Sequence, residues 1–295
     1  MSTTVLLTGE AGFLGRRVHA SLDADPAIEL SVLGRRLAEL QPADLPEVDV
    51  VIHLAAWTPK RVGLTDSERI VDANVLGLRR LLSALDPPPR RFLFASTISV
   101  YGMQDGPHLN ERSLLDPTDA YAASKLLGEH LVRADARARG YEASAVRIGH
   151  LYGPGEEAYE KIVPTMIGAL MRGRPPTVVG DGQTRRDFLY VDDAAEAIRR
   201  LALSSRPLPE ILNLTASGTH TVEEIARTLI EIVGFMGRIR YLSDQPRPPS
   251  LSFDTALLSE IAGDPDRTAL AEGLRREVEH VVARERNSQR VPSGV

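Results

Sequence analysis

A run of apolar residues that ends in three glycines, each three positions after the last, constrains this chain more than any other feature in it. TVLLTG (4–9) reads as a buried strand and GFLGRRVHASL as the helix that follows, with Gly9, Gly12 and Gly15 in the turn between them. The first glycine permits a tight turn, the second lets backbone approach a pyrophosphate, and the third lets helix pack on strand. The start of the helix adds N–H groups and a positive dipole end. Taken alone, glycines at this spacing fit an ordinary turn as well. At the first strand of a strand–helix alternation they point to a dinucleotide site that also includes Phe13 and Leu14.

That alternation is present. Strand-like runs at 29–34, 48–56, 90–97 and 143–151 are separated by helical patterns at 66–85 and 120–140. The rhythm predicts an α/β fold with a doubly wound, Rossmann-type parallel sheet. After about residue 152 it breaks, and GPG, PP, DG, QPRPP and GDPD punctuate the second half, with helices expected near 161–172, 192–203, 221–233 and 266–284. The division expected is a dinucleotide-binding domain of residues 1–150 plus about 186–214, and a smaller α/β substrate domain of 151–185 plus 215–295. Segment 186–214 is placed with the first domain because DFLYV and EILNLT are strand-like.

Composition narrows the function by exclusion. A formal charge of −5 argues against nucleic acid as a partner. With no cysteine there is no thiolate metal site or thiol nucleophile, and no metal is expected. No apolar run is long enough to span a membrane and no signal peptide is read at the N-terminus, so a cytoplasmic protein is expected.

The second strand-like run ends VLGRR. Turns that bind NAD normally place a carboxylate here for the ribose 2′-hydroxyl. This chain has Arg35 and Arg36 instead, which suit a 2′-phosphate and hence NADP(H). Two solvated surface arginines are the alternative. Asp44 and Leu45 are expected beside the adenine, with a plain loop as the other reading. HLAA (53–56) ends the third run, where Leu54, Ala55 and Ala56 let the nicotinamide ribose come close, and Thr58 is grouped with them; His53 itself reads as structural.

Tyr121 and Lys125 lie four apart in a helical stretch, hence on one face. A lysine ammonium beside a tyrosine favours the phenolate and is expected to pull the hydroxyl towards neutral pH, making it an acid–base group. The lysine can also hold ribose hydroxyls. Such a spacing is common by chance, but ASTISVYG (95–102), with Ser96 and Thr97, follows a strand and offers a hydroxyl to the same carbonyl. Asn74 lies mid-helix, where asparagine is mildly unfavourable, so a role or an ordinary polar position both fit.

TGEAGFLG, HLAA, DANVLG, ASTISVYG, YAASK, RIGHLYGPG and RRDFLYVDDAAEA together resemble, in order, the motifs of the extended short-chain dehydrogenase/reductase family, the nucleotide-sugar epimerases, dehydratases and reductases. The resemblance covers residue 4 to about 200 and is thin beyond. It implies Thr97 as the catalytic hydroxyl, Tyr121 as acid–base, Lys125 as its activator and Asn74 as a supporting polar group. It also implies a nucleotide-diphosphate sugar between two domains and a homodimer built from the helices around 66–85 and 120–138.

The 4,6-dehydratases of that family carry Asp-Glu directly after the threonine, and the decarboxylating members a glutamate; here those positions are Ile98 and Ser99. Dehydration is therefore not expected. Reduction of a 4-keto sugar by NADPH, typically of a dTDP-4-keto-6-deoxyhexose in deoxysugar assembly, is the expected reaction, with NAD-dependent 4-epimerisation as the alternative. Thr58 stands where similar epimerases often have lysine. On the substrate side, Ser99 is a candidate contact. Arg186 matches the family arginine for the diphosphate; Arg185 is the other candidate, and an ion pair with Asp187 or Asp192 the structural alternative. His150 replaces a family asparagine and reads either as a donor to the substrate or as a satisfied buried imidazole. Arg247 resembles a late arginine for a second phosphate contact, although Pro-Pro-Ser follows it in place of Gly-Asp. His130 is expected at the surface or an interface. Trp57, the only tryptophan, walls the sugar pocket or packs in the core.

Overall fold

The structure is a computed structural model that describes residues 2–33, 37–41, 45–59, 66–104, 108–242, 249–264 and 267–290. The elements that build its first half are β1 (Thr3–Thr8), α1 (Phe13–Asp23), β2 (Ile28–Val32), β3 (Val50–His53), α2 (Ser67–Ile70), α3 (Gly77–Ala84), β4 (Arg91–Thr97), α4 (Ala120–Arg139) and β5 (Glu142–Ile148). The second half adds β6 (His150–Tyr152), α5 (Ile162–Met171), β7 (Thr177–Val179), β8 (Arg185–Arg186), β9 (Phe188–Tyr190), α6 (Val191–Leu203), β10 (Ile211–Leu214), β11 (His220–Thr221), α7 (Val222–Val233), β12 (Arg240–Leu242), α8 (Ala256–Ala262) and α9 (Leu270–Arg290).

Six strands form one sheet in the order β10-β5-β4-β3-β1-β2. Every pairing in it is parallel. Because crossover helices cover both faces, its central strands are buried throughout; all seven residues of β4 are buried, as are all four of β3. One face packs Val18 and Leu22 of α1 with Ile198 and Leu201 of α6. The other packs Leu78, Leu81 and Leu82 of α3 with Val132 and Ala136 of α4. The second half has its own cluster, in which Ile167, Leu229 and Leu274 are fully buried. The chain moves from β1 outward to β2, then crosses to β3 on the other side of β1. The carboxyl ends of β1 and β3 therefore flank the switch point where ligands bind in such sheets.

Three stretches depart from the sequence pattern. Residues 66–85 are not one regular helix, because Val71–Leu76 winds as a π-helix, with Asn74 buried inside it. The run 48–56 is strand only over Val50–His53. There the backbone of Ala55 crosses so close to Gly9 that a Cβ on Gly9 would lie 2.6 Å from the Ala55 nitrogen. The run 143–151 breaks at Gly149: β5 ends at Ile148, and β6 pairs with β9 in a small separate ladder. A Cβ on Gly149 would lie 2.3 Å from Asp187 Oδ2, so only glycine leaves room for that carboxylate. β10 adds a sixth strand beside β5.

Candidate active site

The glycine turn closes on itself through backbone. Gly12 N–H donates to the Gly9 carbonyl at 3.0 Å, and Gly9 adopts φ +80°. A Cβ on Gly15 would lie 1.9 Å from that carbonyl oxygen. α1 starts with Gly12 as its N-cap, with no side chain capping it and no acid in its first turn. The free N–H groups and the dipole end thus face an open cradle, which fits a pyrophosphate. The adjoining cavity, about 480 Å³, is lined by the turn, by Leu54, Ala55, Ala56 and Thr58, by Thr97 to Ser99, by Tyr121 and Lys125, and by Ile148 to Leu151. Phe13 and Leu14 line it as well.

Its reactive wall is built where β4 ends against α4. Asp119 caps α4, accepting from Ala122 N–H at 2.7 Å, and so starts the helix two residues before Tyr121. Thr97 is buried; its hydroxyl donates to Ser99 Oγ at 3.2 Å and accepts from Ser99 N–H. Burial pushes the Tyr121 hydroxyl up to about 12, against a hydrogen bond from Thr58 that pulls it down. Burial also lowers the Lys125 ammonium to about 7. Its Nζ donates to the Ala95 carbonyl at 2.7 Å and lies over the Phe94 ring. The expectation that Lys125 lowers Tyr121 is therefore corrected: desolvation dominates both groups, and the ammonium is engaged with backbone.

Behind this wall lies a polar lattice. Ser96 Oγ donates to Glu129 Oε1 at 2.5 Å, and Arg147 holds the same carboxylate through Nε at 3.0 Å and Nη2 at 2.9 Å. Arg147 also donates to Tyr101 Oη, which donates to Asn213. These contacts tie β4, α4, β5 and β10 together at the strand ends. His53 is fully buried, its Nδ1 2.8 Å from Thr8 Oγ1, and burial lowers it to about 3, so it is a neutral structural imidazole.

Arg35, Arg36, Asp44 and Arg247 lie outside the described residues. Leu45 packs against the cluster beneath α3. Asn74 braces the loop after β3: its Oδ1 accepts from Trp57 N–H at 2.7 Å, and its Nδ2 donates to the Trp57 carbonyl and to Ser124 Oγ. It thus acts on the reactive helix through a neighbour. Trp57 itself lines neither the reactive cavity nor the core; it lies on a second cavity of about 370 Å³ with Glu10, Leu33, Leu37 and Asp72. Arg186 is mostly buried and forms no ion pair with Asp187 or Asp192; its guanidinium donates to the carbonyls of Arg185 and Pro249 at 2.9 and 2.5 Å. Asp192 pairs with Arg17 instead. Arg185 is exposed and donates to Thr219. His130 is exposed beside Arg133.

His150 lies on the reactive cavity, with Nδ1 2.7 Å from Asp187 Oδ1. Sequence reasoning singled out His150 but not its carboxylate partner, 37 residues away. It also missed Glu129, although a signal existed: Tyr121, Lys125 and Glu129 recur every fourth residue and so share a face. Lys161 and Tyr159 reach the cavity from the loop before α5, and nothing in their spacing announces this. Among the described residues no group of acidic or histidine side chains could hold a metal, and no helix is long and apolar enough to cross a membrane.

A model of the NAD dependent epimerase/dehydratase family matches residues 5–215. The chain is 30% identical, over 93% of its length, to the trifunctional UDP-glucose 4,6-dehydratase/UDP-4-keto-6-deoxy-D-glucose 3,5-epimerase/UDP-4-keto-L-rhamnose-reductase of Arabidopsis thaliana, and covers 46% of that longer protein. It is 28% identical to the dTDP-glucose 4,6-dehydratase of Mycobacterium tuberculosis, over 93% of this chain and 92% of that one. The solved structure of MoeE5 in complex with UDP-glucose and NAD superposes with a TM-score of 0.82 at 30% identity, covering 96% of this chain and 99% of that one.

Proposed function

The chain belongs to the NAD dependent epimerase/dehydratase family, and on that premise we propose that it uses NADPH to reduce the 4-keto group of a nucleotide-diphosphate sugar. The observation that carries this reading is the lining of the larger cavity. It brings Thr97, Tyr121 and Lys125 to the glycine turn and holds no carboxylate among its described residues. Eliminating water calls for the carboxyl pair that the similar dehydratases carry after the threonine; here Ile98 is buried apolar and Ser99 a hydroxyl. Reducing a ketone needs one proton donor and one hydrogen-bond donor at the developing alkoxide.

The bound cofactor supplies the hydride. Around it, the cradle of Gly9, Gly12 and Gly15 with the start of α1 would hold the pyrophosphate. Tyr121 donates its proton to O4, and its value of about 12 keeps that proton in place at neutral pH, the state a donor requires. Thr97 donates a hydrogen bond to the same oxygen. Lys125 lies on the same face of α4 for the ribose hydroxyls. Arg35 and Arg36 support NADPH through the 2′-phosphate, and a dTDP-4-keto-6-deoxyhexose is the substrate class. Val71 and Leu127, exposed on the segment after α2 and on α4, support a homodimer through those helices.

A second reading, NAD-dependent 4-epimerisation, draws on one observation. The smaller cavity carries the carboxylates of Glu10 and Asp72, a setting that suits an unesterified ribose. MoeE5 is a complex with NAD. The test is to follow NADPH and NADH consumption with dTDP-4-keto-6-deoxyglucose and its UDP counterpart. NADPH is expected to be consumed with at least tenfold higher kcat/KM than NADH. Tightly held NAD, interconversion at C4 and no net consumption would establish the second reading.

A further inference from the structure

His150 and Asp187 form an ionisable pair that the reduction does not use. Asp187 is 1% exposed, while the His150 side chain is 38% exposed and faces the cavity that holds Thr97, Tyr121 and Lys125. The Nδ1–Oδ1 distance is 2.7 Å. Asp187 Oδ2 has no hydrogen-bond partner among the described residues, so His150 is the carboxylate's hydrogen-bonding partner. Gly149 is what admits that carboxylate, since a Cβ there would meet Asp187 Oδ2 at 2.3 Å. The Phe188 ring lies 6.1 Å from the imidazole, tilted at 45° to it. A buried carboxylate that accepts from Nδ1–H fixes the tautomer of a neutral imidazole and leaves the Nε2 lone pair as a base. Tyr121 holds its proton, so this pair gives the cavity a base where the reactive wall provides an acid.

We infer that Asp187 and His150 make this enzyme a proton-exchange catalyst on its keto-sugar, acting at a carbon next to C4; the inference rests on the keto-sugar reading above. Hydrogens on the carbons flanking a ketone are acidic. His150 Nε2 takes one of them as a proton, the C–H electron pair becomes the carbon–carbon double bond of the enolate, and the carbonyl π pair moves onto O4, where Thr97 and Tyr121 donate hydrogen bonds. Return of a proton from Nε2–H to the same carbon reverses every bond change. No oxidant or reductant takes part. Between the two transfers Nε2–H exchanges its proton with solvent, so solvent hydrogen enters that carbon with no net change in the sugar. Asp187 is a positioning residue that acts through His150.

The test uses the full chain in deuterium oxide with dTDP-4-keto-6-deoxyglucose and its UDP counterpart. With NADP⁺ bound, which cannot deliver hydride, deuterium entering the carbons beside C4 is read by mass spectrometry and proton NMR against a sample without enzyme. With NADPH, reduction is followed separately. Wild-type enzyme is expected to exchange and to reduce. His150→Asn is expected to lose exchange by about 100-fold or more, the usual contribution of a general base, with a much smaller loss of reduction, which also reports that the variant is folded. Asp187→Asn is expected to lower exchange and shift its pH profile, and Asp187→Glu to restore part of it. Reduction without exchange by the wild type, or His150→Asn exchanging as the wild type does, overturns the inference and leaves the reductase reading standing. Exchange without reduction supports the inference and overturns the reductase. If neither sugar is exchanged or reduced, both fall.

Discussion

The two sides of the reactive cavity are made of different material. On the side of the glycine turn, Gly9, Gly12 and Gly15 shape a cradle from backbone alone, and the binding groups are N–H donors at the uncapped start of α1. On the other side are the buried side chains of Thr97 and Lys125 and the half-buried Tyr121, with the linked Ser96, Glu129 and Arg147 behind them. A backbone cradle does not titrate and has little to rearrange, so it fails only when something is added to it. A wall of buried ionisable groups works through proton affinities set by desolvation, and it fails when a proton or a partner is taken away.

That contrast can be broken most sharply on the side-chain wall. Tyr121→Phe is expected to lower kcat for keto-sugar reduction by about 100- to 10,000-fold, with a far smaller change in cofactor affinity by calorimetry. A comparable loss of affinity would mean that the two sides are not separate. Glu129→Ala leaves Arg147 buried opposite an empty site. It is expected to cost about 3–5 kcal/mol in denaturant unfolding, much more than any exposed ion pair such as Arg137–Glu210. Gly15→Ala probes the cradle, where the new methyl meets the Gly9 carbonyl at 1.9 Å. A stability loss of about 1–3 kcal/mol and weaker cofactor binding are expected, while the pH dependence of kcat stays as in the wild type.

The smallest effect sharpens the comparison through pH. Lys125 titrates near 7 in the folded chain against 10.5 ordinarily. Between those values the unfolded chain holds a proton that the folded chain has released, so this residue makes stability rise with pH across that window, by at most about 1.4 kcal/mol per unit. Lys125→Met lacks that contribution. Its stability advantage over the wild type, measured by urea unfolding, is expected to be largest near pH 7 and to shrink towards pH 10. An advantage independent of pH would show that Lys125 keeps its charge in the fold.

Much of the cradle was legible in the sequence. Strand, turn and helix are contiguous there, and glycine is informative wherever a Cβ would strike backbone. The helix face bearing Tyr121 and Lys125 was legible from its spacing. The Tyr121 hydroxyl nevertheless moves up rather than down, through its own desolvation, because spacing shows that two groups share a face but not how much water surrounds them. Asn74 was legible as an odd residue in a helix, yet its work on the Trp57 backbone depends on a π-helical turn that no pattern announces. Trp57 went to the smaller cavity because the chain leaves the sheet after His53, sooner than its apolar run suggested.

The order of apolar runs and glycines was enough to determine the parallel sheet, the cradle at its first turn and the shared face of Tyr121 and Lys125, since each depends on residues close together in the chain. Tertiary structure alone decided which buried groups hold protons, how Ser96, Glu129 and Arg147 lock the reactive wall, and that Asp187 stands behind His150. Those properties arise from desolvation and from contacts between residues 18 to 37 positions apart, and local periodicity carries no record of either.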